Sequence, residues 1–241
     1  MITAYVRLEV RRTLRDTGFV VFGIGMPVLM YLLFTNLGPA DGAGEWKTAS
    51  MVAMAAYGAL GAALSTGNGV AEDKGIGWLR QLRVTPMTPR QVVAGRTLTG
   101  SVIVLPAIAA VLAAGAFVNG VRLEAWQWGA VALVLWLGAL PFTLLGIGNG
   151  YRLTAQTTGV VNVGCSLALS VVGGLWFPVE LFPDWLSFLS GFTPTRRFAE
   201  IGQSLAAGAA PGPAAVAVLA VWVLLFGSYA VLSYRRSART V

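Results

Sequence analysis

Uncharged stretches long enough to cross a bilayer alternate with short polar ones along nearly the whole chain. Between charged residues the sequence runs Thr17–Ala40, Thr48–Ala71, Thr97–Val121, Ala125–Tyr151, Leu153–Val179 and Ile201–Tyr234. A helix needs about 20 apolar residues to span a hydrocarbon core of about 30 Å. Every run exceeds that length, so the pattern predicts an all-α polytopic membrane protein. Spans are expected near 18–37, 49–70, 97–118, 127–149, 154–177 and 213–234, all within one membrane domain. The first run is too long for the core of a signal peptide, and no small-residue cleavage site follows it cleanly.

Three segments outside the spans have patterns of their own. In residues 1–17, Ile2, Val6, Val10 and Leu14 recur at helical spacing, with Arg7, Arg11 and Arg15 on another face and Arg12 beside them. This predicts a helix in the membrane interface with its arginines at lipid phosphates. A plain positively charged anchor fits the same residues. Residues 72–90 open with Glu72, Asp73 and Lys74, then place Ile76, Leu79 and Leu82 at every third position beside Trp78. Pro86 and Pro89 stop that helix, because proline lacks an N–H and clashes with the preceding turn. A lipid anchor would favour bases alone, whereas mixed charge around Trp78 and Leu79 fits a protein docking site. Residues 178–207 carry prolines at 178, 183 and 194, with Trp185, Leu186, Phe188 and Leu189 between them. The apolar face is too short to span, so two short helices dipping into the outer leaflet are expected.

Charge sets the orientation. With the N-terminus inside, thirteen of the seventeen Lys and Arg residues fall on the inner side, and Lys47, Arg122, Arg196 and Arg197 fall outside. By the positive-inside rule both termini are cytoplasmic. The net charge of +7 then faces anionic lipid rather than nucleic acid. Trp46, Trp126, Trp128, Trp176 and Trp185 flank the expected outer ends. Indole prefers that depth, although Trp176 also reads as an ordinary core aromatic.

The spans hold no ionisable residue well inside them, and the chain has no histidine. Coupled carriers and proton relays keep such groups at midplane, so ion coupling is disfavoured. No Ser–His–Asp set, no HExxH helix and no phosphate-binding loop of the GxxxxGK[ST] kind is present. The chain is therefore not expected to be an enzyme, nor to bind a metal or cofactor itself. Small residues recur instead at Gly23 and Gly25, Gly58 and Gly61, Gly146 and Gly150, and Gly173 and Gly174. Such residues let helices approach closely. Pro27, Pro106 and Pro141 are expected to kink three spans. Asn68, Asn149, Gln156 and Asn162 gather toward the cytoplasmic side. They fit either a substrate entrance or hydrogen bonds between helices.

The run E-D-K-G-x-G-W-L-R-x-L-R-x-T-P-M-T at residues 72–88, followed by G-G-L-W-F-P-x-E-x-F-P-x-W-L at residues 173–186 and T-P-x-R-R at residues 193–197, resembles the type-2 ABC exporter permeases. That family includes antibiotic-resistance permeases of the daunorubicin type and polysaccharide and nodulation-factor exporters. The resemblance covers essentially the whole chain. It implies six spans, an N-terminal interfacial helix bearing Arg7, Arg11, Arg12 and Arg15, a cytoplasmic coupling helix, and outer re-entrant helices between spans five and six. It further implies that Glu72, Asp73, Lys74 and Arg80 make polar contacts with a separate ABC ATPase, on which Trp78, Leu79 and Leu82 pack. Phe177, Pro178, Phe182, Pro183 and Trp185 would cap the pathway on the far side. The assembly implied is a permease dimer, of two identical or two related chains, with two ATPase copies that hold ATP and Mg, in a bacterial inner membrane. Export of a drug-like or lipid-like amphiphile, as in multidrug resistance, is the expected activity. Export of a glycan or lipid-linked polysaccharide, or a non-transport role in resistance sensing, is the alternative.

Overall fold

The computed structural model describes residue 15 and residues 17–37, 43–76 and 89–240. Among the described residues the chain is helical, with no strand, and six helical stretches are long and apolar enough to cross a membrane. Lipid offers no partner for backbone N–H and C=O groups, so each segment must satisfy them along its own axis. The first span begins with a π-helical segment, Phe19–Gly25, and continues as α1, Met26–Leu37. The others are α2, Ala43–Gly75; α3, Pro89–Phe117; α4, Ala125–Gly138, with α5, Leu140–Arg152; α6, Ala155–Val172; and α9, Pro213–Thr240. Between α6 and α9 lie a 3₁₀ turn, Val179–Leu181, and two short helices, α7 (Asp184–Ser190) and α8 (Pro194–Ala206).

The three prolines act differently. Pro106 sits inside α3. Pro27 follows the π-helical segment, where the Met26 N–H reaches back five residues to the Val21 carbonyl. A proline next in line has no N–H to offer, and wide turns of this kind absorb the lost bond. Pro141 opens α5 after the chain breaks at Ala139, a position suited to proline because the first helical N–H groups are unpaired anyway. That break makes room. A Cβ at Gly138 would lie 2.5 Å from the Phe198 ring, and Phe198 of α8 packs on Phe142 of α5 with ring centroids 5.6 Å apart.

α2 is the axis of the bundle. Its span is 72% buried, against 17% for the first and 11% for the last. Met51, Val52, Ala55, Ala56, Ala59, Leu60, Ala63 and Leu64 are all buried. Half of these are alanines, so neighbours seat close to the α2 backbone there, which is how helices associate when lipid removes the hydrophobic drive between them. Val104, Ile108 and Val111 of α3 and Phe142 of α5 join this core, with Tyr31, Leu135 and Phe198 from other helices. With 33 residues, α2 is about 50 Å long and overshoots the hydrocarbon by several turns.

That length corrects one expectation. A separate helix was expected to start at Glu72. Instead Glu72, Asp73 and Lys74 ride on the last turns of α2, which runs unbroken to Gly75. Ala71, Glu72 and Lys74 are good helix formers and no proline intervenes. Trp78, Leu79, Arg80 and Leu82 lie outside the described residues, as do Arg7, Arg11 and Arg12. Arg15 is exposed.

Candidate functional site

A cavity of about 620 Å³ opens between the first span, α2, α3 and α6. Ligand pockets typically measure about 300–1,000 Å³. On α2 it is lined by Tyr57, Gly61, Leu64, Ser65, Asn68 and Glu72, which recur at helical spacing along one face, with Thr66 and Gly69 beside them. α6 contributes Gly159, Asn162, Val163, Ser166 and Leu167 at the same spacing. Two stripes of small and polar residues therefore face each other across the space. The wall from the first span is apolar and aromatic, with Phe19, Phe22 and Met26 around the π-helical segment. Glu72 and Arg96 stand at the mouth, at the end of the bundle that also carries the 77–88 segment between α2 and α3. Among the described residues the charged groups lining the cavity are these two, and the rest of its described lining is neutral hydrogen-bonding groups and hydrocarbon.

Behind the polar stripe runs a hydrogen-bonded chain that joins four helices. The Tyr229 hydroxyl of α9 donates to Asn149 Oδ1 at 2.9 Å, and Asn149 Nδ2 donates to Asn162 Oδ1 at 2.9 Å. Asn162 Nδ2 donates to the Leu64 carbonyl at 2.9 Å and to Asn68 Oδ1 at 3.1 Å. Asn149 and Asn162 are buried, where unpaired amides would be costly. Of the four polar residues singled out from the sequence, the structure brings these three asparagines together. Gln156 is exposed on the first turn of α6 and takes no part.

The helices meet closely at the same level. A Cβ on Gly67 would run into the Gly146 carbonyl, and one on Gly150 into the Gly67 carbonyl. The Gly146–Gly150 spacing thus seats α5 directly on the α2 backbone, the close approach that such spacing permits. Gly58 likewise admits Pro27, whose Cγ would lie 3.2 Å from an added Cβ.

At the mouth, Asp73 pairs with Arg96, tying together the two helices that flank the 77–88 segment. Lys74 Nζ donates to the carbonyls of Tyr151 at 3.1 Å and Leu153 at 2.6 Å. The last carbonyls of a helix lack partners within it, and a lysine there also suits the helix dipole. Asp73 and Lys74, expected from the family resemblance to reach a partner, make these contacts within the chain itself. Tyr151 packs edge-on against Tyr234 of α9, and Arg152 lies over the Tyr229 ring at 5.6 Å. Sequence reading missed Lys74's inward role, Tyr229, and the serines 65 and 166. The stripe Gly61, Ser65, Asn68, Glu72 was the available signal for Ser65, and Gly159, Asn162, Ser166 for Ser166.

At the opposite end, α8 is fastened to the end of α6. Thr195 Oγ1 donates to the Leu169 carbonyl at 2.7 Å, and a Cβ at Gly173 would collide with that oxygen. Arg196 and Arg197 donate to the Ser187 and Gly191 carbonyls at 3.1 and 2.9 Å, closing the end of α7. Phe177 and Trp185 are exposed, and Pro178 and Pro183 cap the 3₁₀ turn and α7. Phe182 lies between those two elements.

Comparison with known proteins gives this arrangement a family. The chain is 26% identical over 221 residues to the Bacillus subtilis (strain 168) protein named "Putative transport permease YvfS", covering 90% of each chain. Residues 2–205 match the ABC-2 type transporter family, which takes in the first five spans, the segment between α2 and α3, and helices α7 and α8 up to Leu205. The chain belongs to the ABC-2 type transporter family and is a multi-pass membrane subunit of a transporter.

Proposed function

We propose that this chain is the membrane half of an ATP-driven exporter and that its cargo is a drug-like or lipid-like amphiphile. Two permease chains pair with two separate ABC ATPase subunits, which hold ATP and Mg and carry out its hydrolysis. The end bearing Glu72 and Arg96 faces the cytoplasm of a bacterial cell, consistent with the excess of Lys and Arg in the termini and in residues 72–96. The observation that carries the cargo reading is the cavity. Charge sits at its mouth, neutral hydrogen-bonding groups line one side of its depth, and Phe19, Phe22 and Met26 line the other. An amphiphile entering from the inner leaflet meets each part in the order of its own polarity.

Energy enters through residues 72–90. Glu72, Trp78, Leu79, Arg80 and Leu82 meet the ATPase, while Asp73 and Lys74 pass the motion on. Asp73 holds α3 through Arg96, and Lys74 holds the end of α5. A push on the segment thus moves α2, α3 and α5 together. Cargo shifts the balance of inward and outward states only through different affinity for the two.

The test is reconstitution in proteoliposomes with the ABC ATPase that co-purifies with the permease. Tetraphenylphosphonium or a monoacyl phospholipid stimulates ATP hydrolysis, and Gly159→Trp, which fills the cavity from a position with open space around it, removes the stimulation. Hydrolysis indifferent to both amphiphiles refutes the cargo assignment. Stimulation by a lipid-linked glycan instead would reassign it.

A further inference from the structure

We infer that Asn68 presents its amide N–H groups to a hydrogen-bond acceptor on the cargo, so that the cavity selects amphiphiles carrying a carbonyl where their polar and apolar parts join. This rests on the cavity being the cargo site.

An asparagine amide is ambiguous by itself, because its oxygen and nitrogen exchange places on a half-turn. Here one contact removes the ambiguity. The Leu64 carbonyl can only accept, so the Asn162 group 2.9 Å from it must be the nitrogen. The Asn162 oxygen then faces Asn149, which must offer its nitrogen and turn its own oxygen to the Tyr229 hydroxyl. On the other side, Asn162 Nδ2 spends its second hydrogen on Asn68, which must offer its oxygen. The whole chain is polarised from one backbone carbonyl.

Its free end is Asn68 Nδ2. The amide oxygen is held by Asn162, so the nitrogen is set on the other edge of a side chain that lines the cavity. Among the described residues no protein group accepts from it. Asn68 is half-buried on the cavity wall, so its two donors remain accessible from the cavity, and a cargo oxygen that accepts from them gains the net worth of a hydrogen bond. The surroundings fit an acceptor in this place. Ser65, one turn deeper, spends its hydroxyl hydrogen on the Ala62 carbonyl at 2.7 Å. Asn68 lies four residues from Glu72 at the mouth, about 6 Å along the axis. A polar headgroup at the mouth thus leaves its linking carbonyl at Asn68, and Phe19, Phe22 and Met26 receive the hydrocarbon beyond.

The experiment compares two probes that differ in one oxygen. These are 1-palmitoyl-lysophosphatidylcholine and its 1-O-hexadecyl ether analogue. Binding to the purified full-length permease in dodecyl maltoside is measured by native mass spectrometry. The ester binds about five- to tenfold more tightly than the ether, the worth of about one hydrogen bond. Asn68→Ala lowers the ester to the level of the ether and leaves the ether unchanged, and Gly159→Trp displaces both. Equal binding of the two probes to wild type, with both displaced by Gly159→Trp, overturns the inference and leaves the cavity reading standing. An ester preference that survives Asn68→Ala overturns the role of Asn68. Probes that do not bind, or that ignore Gly159→Trp, overturn the cavity reading and the inference together. The wild-type comparison needs no substitution, so a poorly folding Asn68→Ala does not weaken the test.

Discussion

Gly67 and Gly69 are two residues apart on α2, yet they should respond oppositely to the same added methyl group. At Gly67 a Cβ would strike the Gly146 carbonyl, lie 2.5 Å from the Gly146 carbonyl carbon and 3.0 Å from Asn162 Nδ2. Carbon contacts settle near 3.5–4.0 Å, so α2 and α5 would have to part by about 1 Å. The obstacle is backbone and cannot rotate aside, which places the cost at the upper end of overpacking penalties, about 3 kcal/mol. Alanine recovers about 1 kcal/mol of helix propensity, so Gly67→Ala should lose about 2 kcal/mol net. At Gly69 a Cβ meets nothing within 4 Å, so Gly69→Ala keeps the gain and loses nothing. The pair should differ by about 3 kcal/mol, which is about a hundredfold in the unfolding equilibrium. Unfolding in mixed micelles titrated with SDS and followed by tryptophan fluorescence measures the difference directly. Equal midpoints for the two variants would refute the close crossing of α2 on α5.

Other contacts make separate predictions. Lys74→Met should free the last turn of α5 and raise amide hydrogen exchange across residues 149–155, whereas Lys74→Arg should restore protection. Asp73→Asn and Arg96→Gln should show a coupling energy of only about 0.2–1 kcal/mol in a double-mutant cycle of unfolding, because both groups are partly solvated. Gly173→Ala should displace Thr195 and loosen α8 from α6, read as faster proteolytic cleavage within residues 173–194 and a lower melting temperature. A cysteine at Asp184 should react with an impermeant maleimide from outside the cell and one at Arg83 should not. The reverse pattern would invert the proposed orientation.

The six spans were legible because a bilayer permits so little else. Uninterrupted apolar length fixes a helix there, whatever its faces look like. Breaks inside spans were not legible. Pro27, Pro106 and Pro141 look alike in sequence, yet one follows a π-helical segment, one sits within a continuous helix and one opens a new helix. What separates them is a neighbour. Phe198 fills the gap at Gly138, and it arrives from a helix sixty residues further along the chain. The charges at the end of α2 misled for a related reason. Mixed charge beside a tryptophan looks outward-facing when read as a loop. Once α2 is known to run to Gly75, the same lysine stands next to the unpaired carbonyls of α5, and those are the better partner.

For the site, residue identity was visible and direction was not. Asn68, Asn149 and Asn162 stand out in apolar surroundings, and their hydrogen-bonding capacity follows from type alone. Which end of each amide faces which neighbour depends on the Leu64 carbonyl, a backbone atom with no signature in the sequence. Hydrophobic periodicity gives no help either, since spans buried in lipid are apolar on both faces. The inward face of such a helix is marked by small residues where backbones touch and by polar ones where space is left between them. Gly67, Gly146 and Gly150 mark the first kind of surface and Gly61, Ser65, Asn68 and Glu72 the second. On α2 the two surfaces, at Gly67 and at Asn68, are neighbours. The contact that brings α5 against α2 therefore also sets the position of Asn162 against Asn68, and a change that separates the helices should empty the donor chain before it unfolds the bundle.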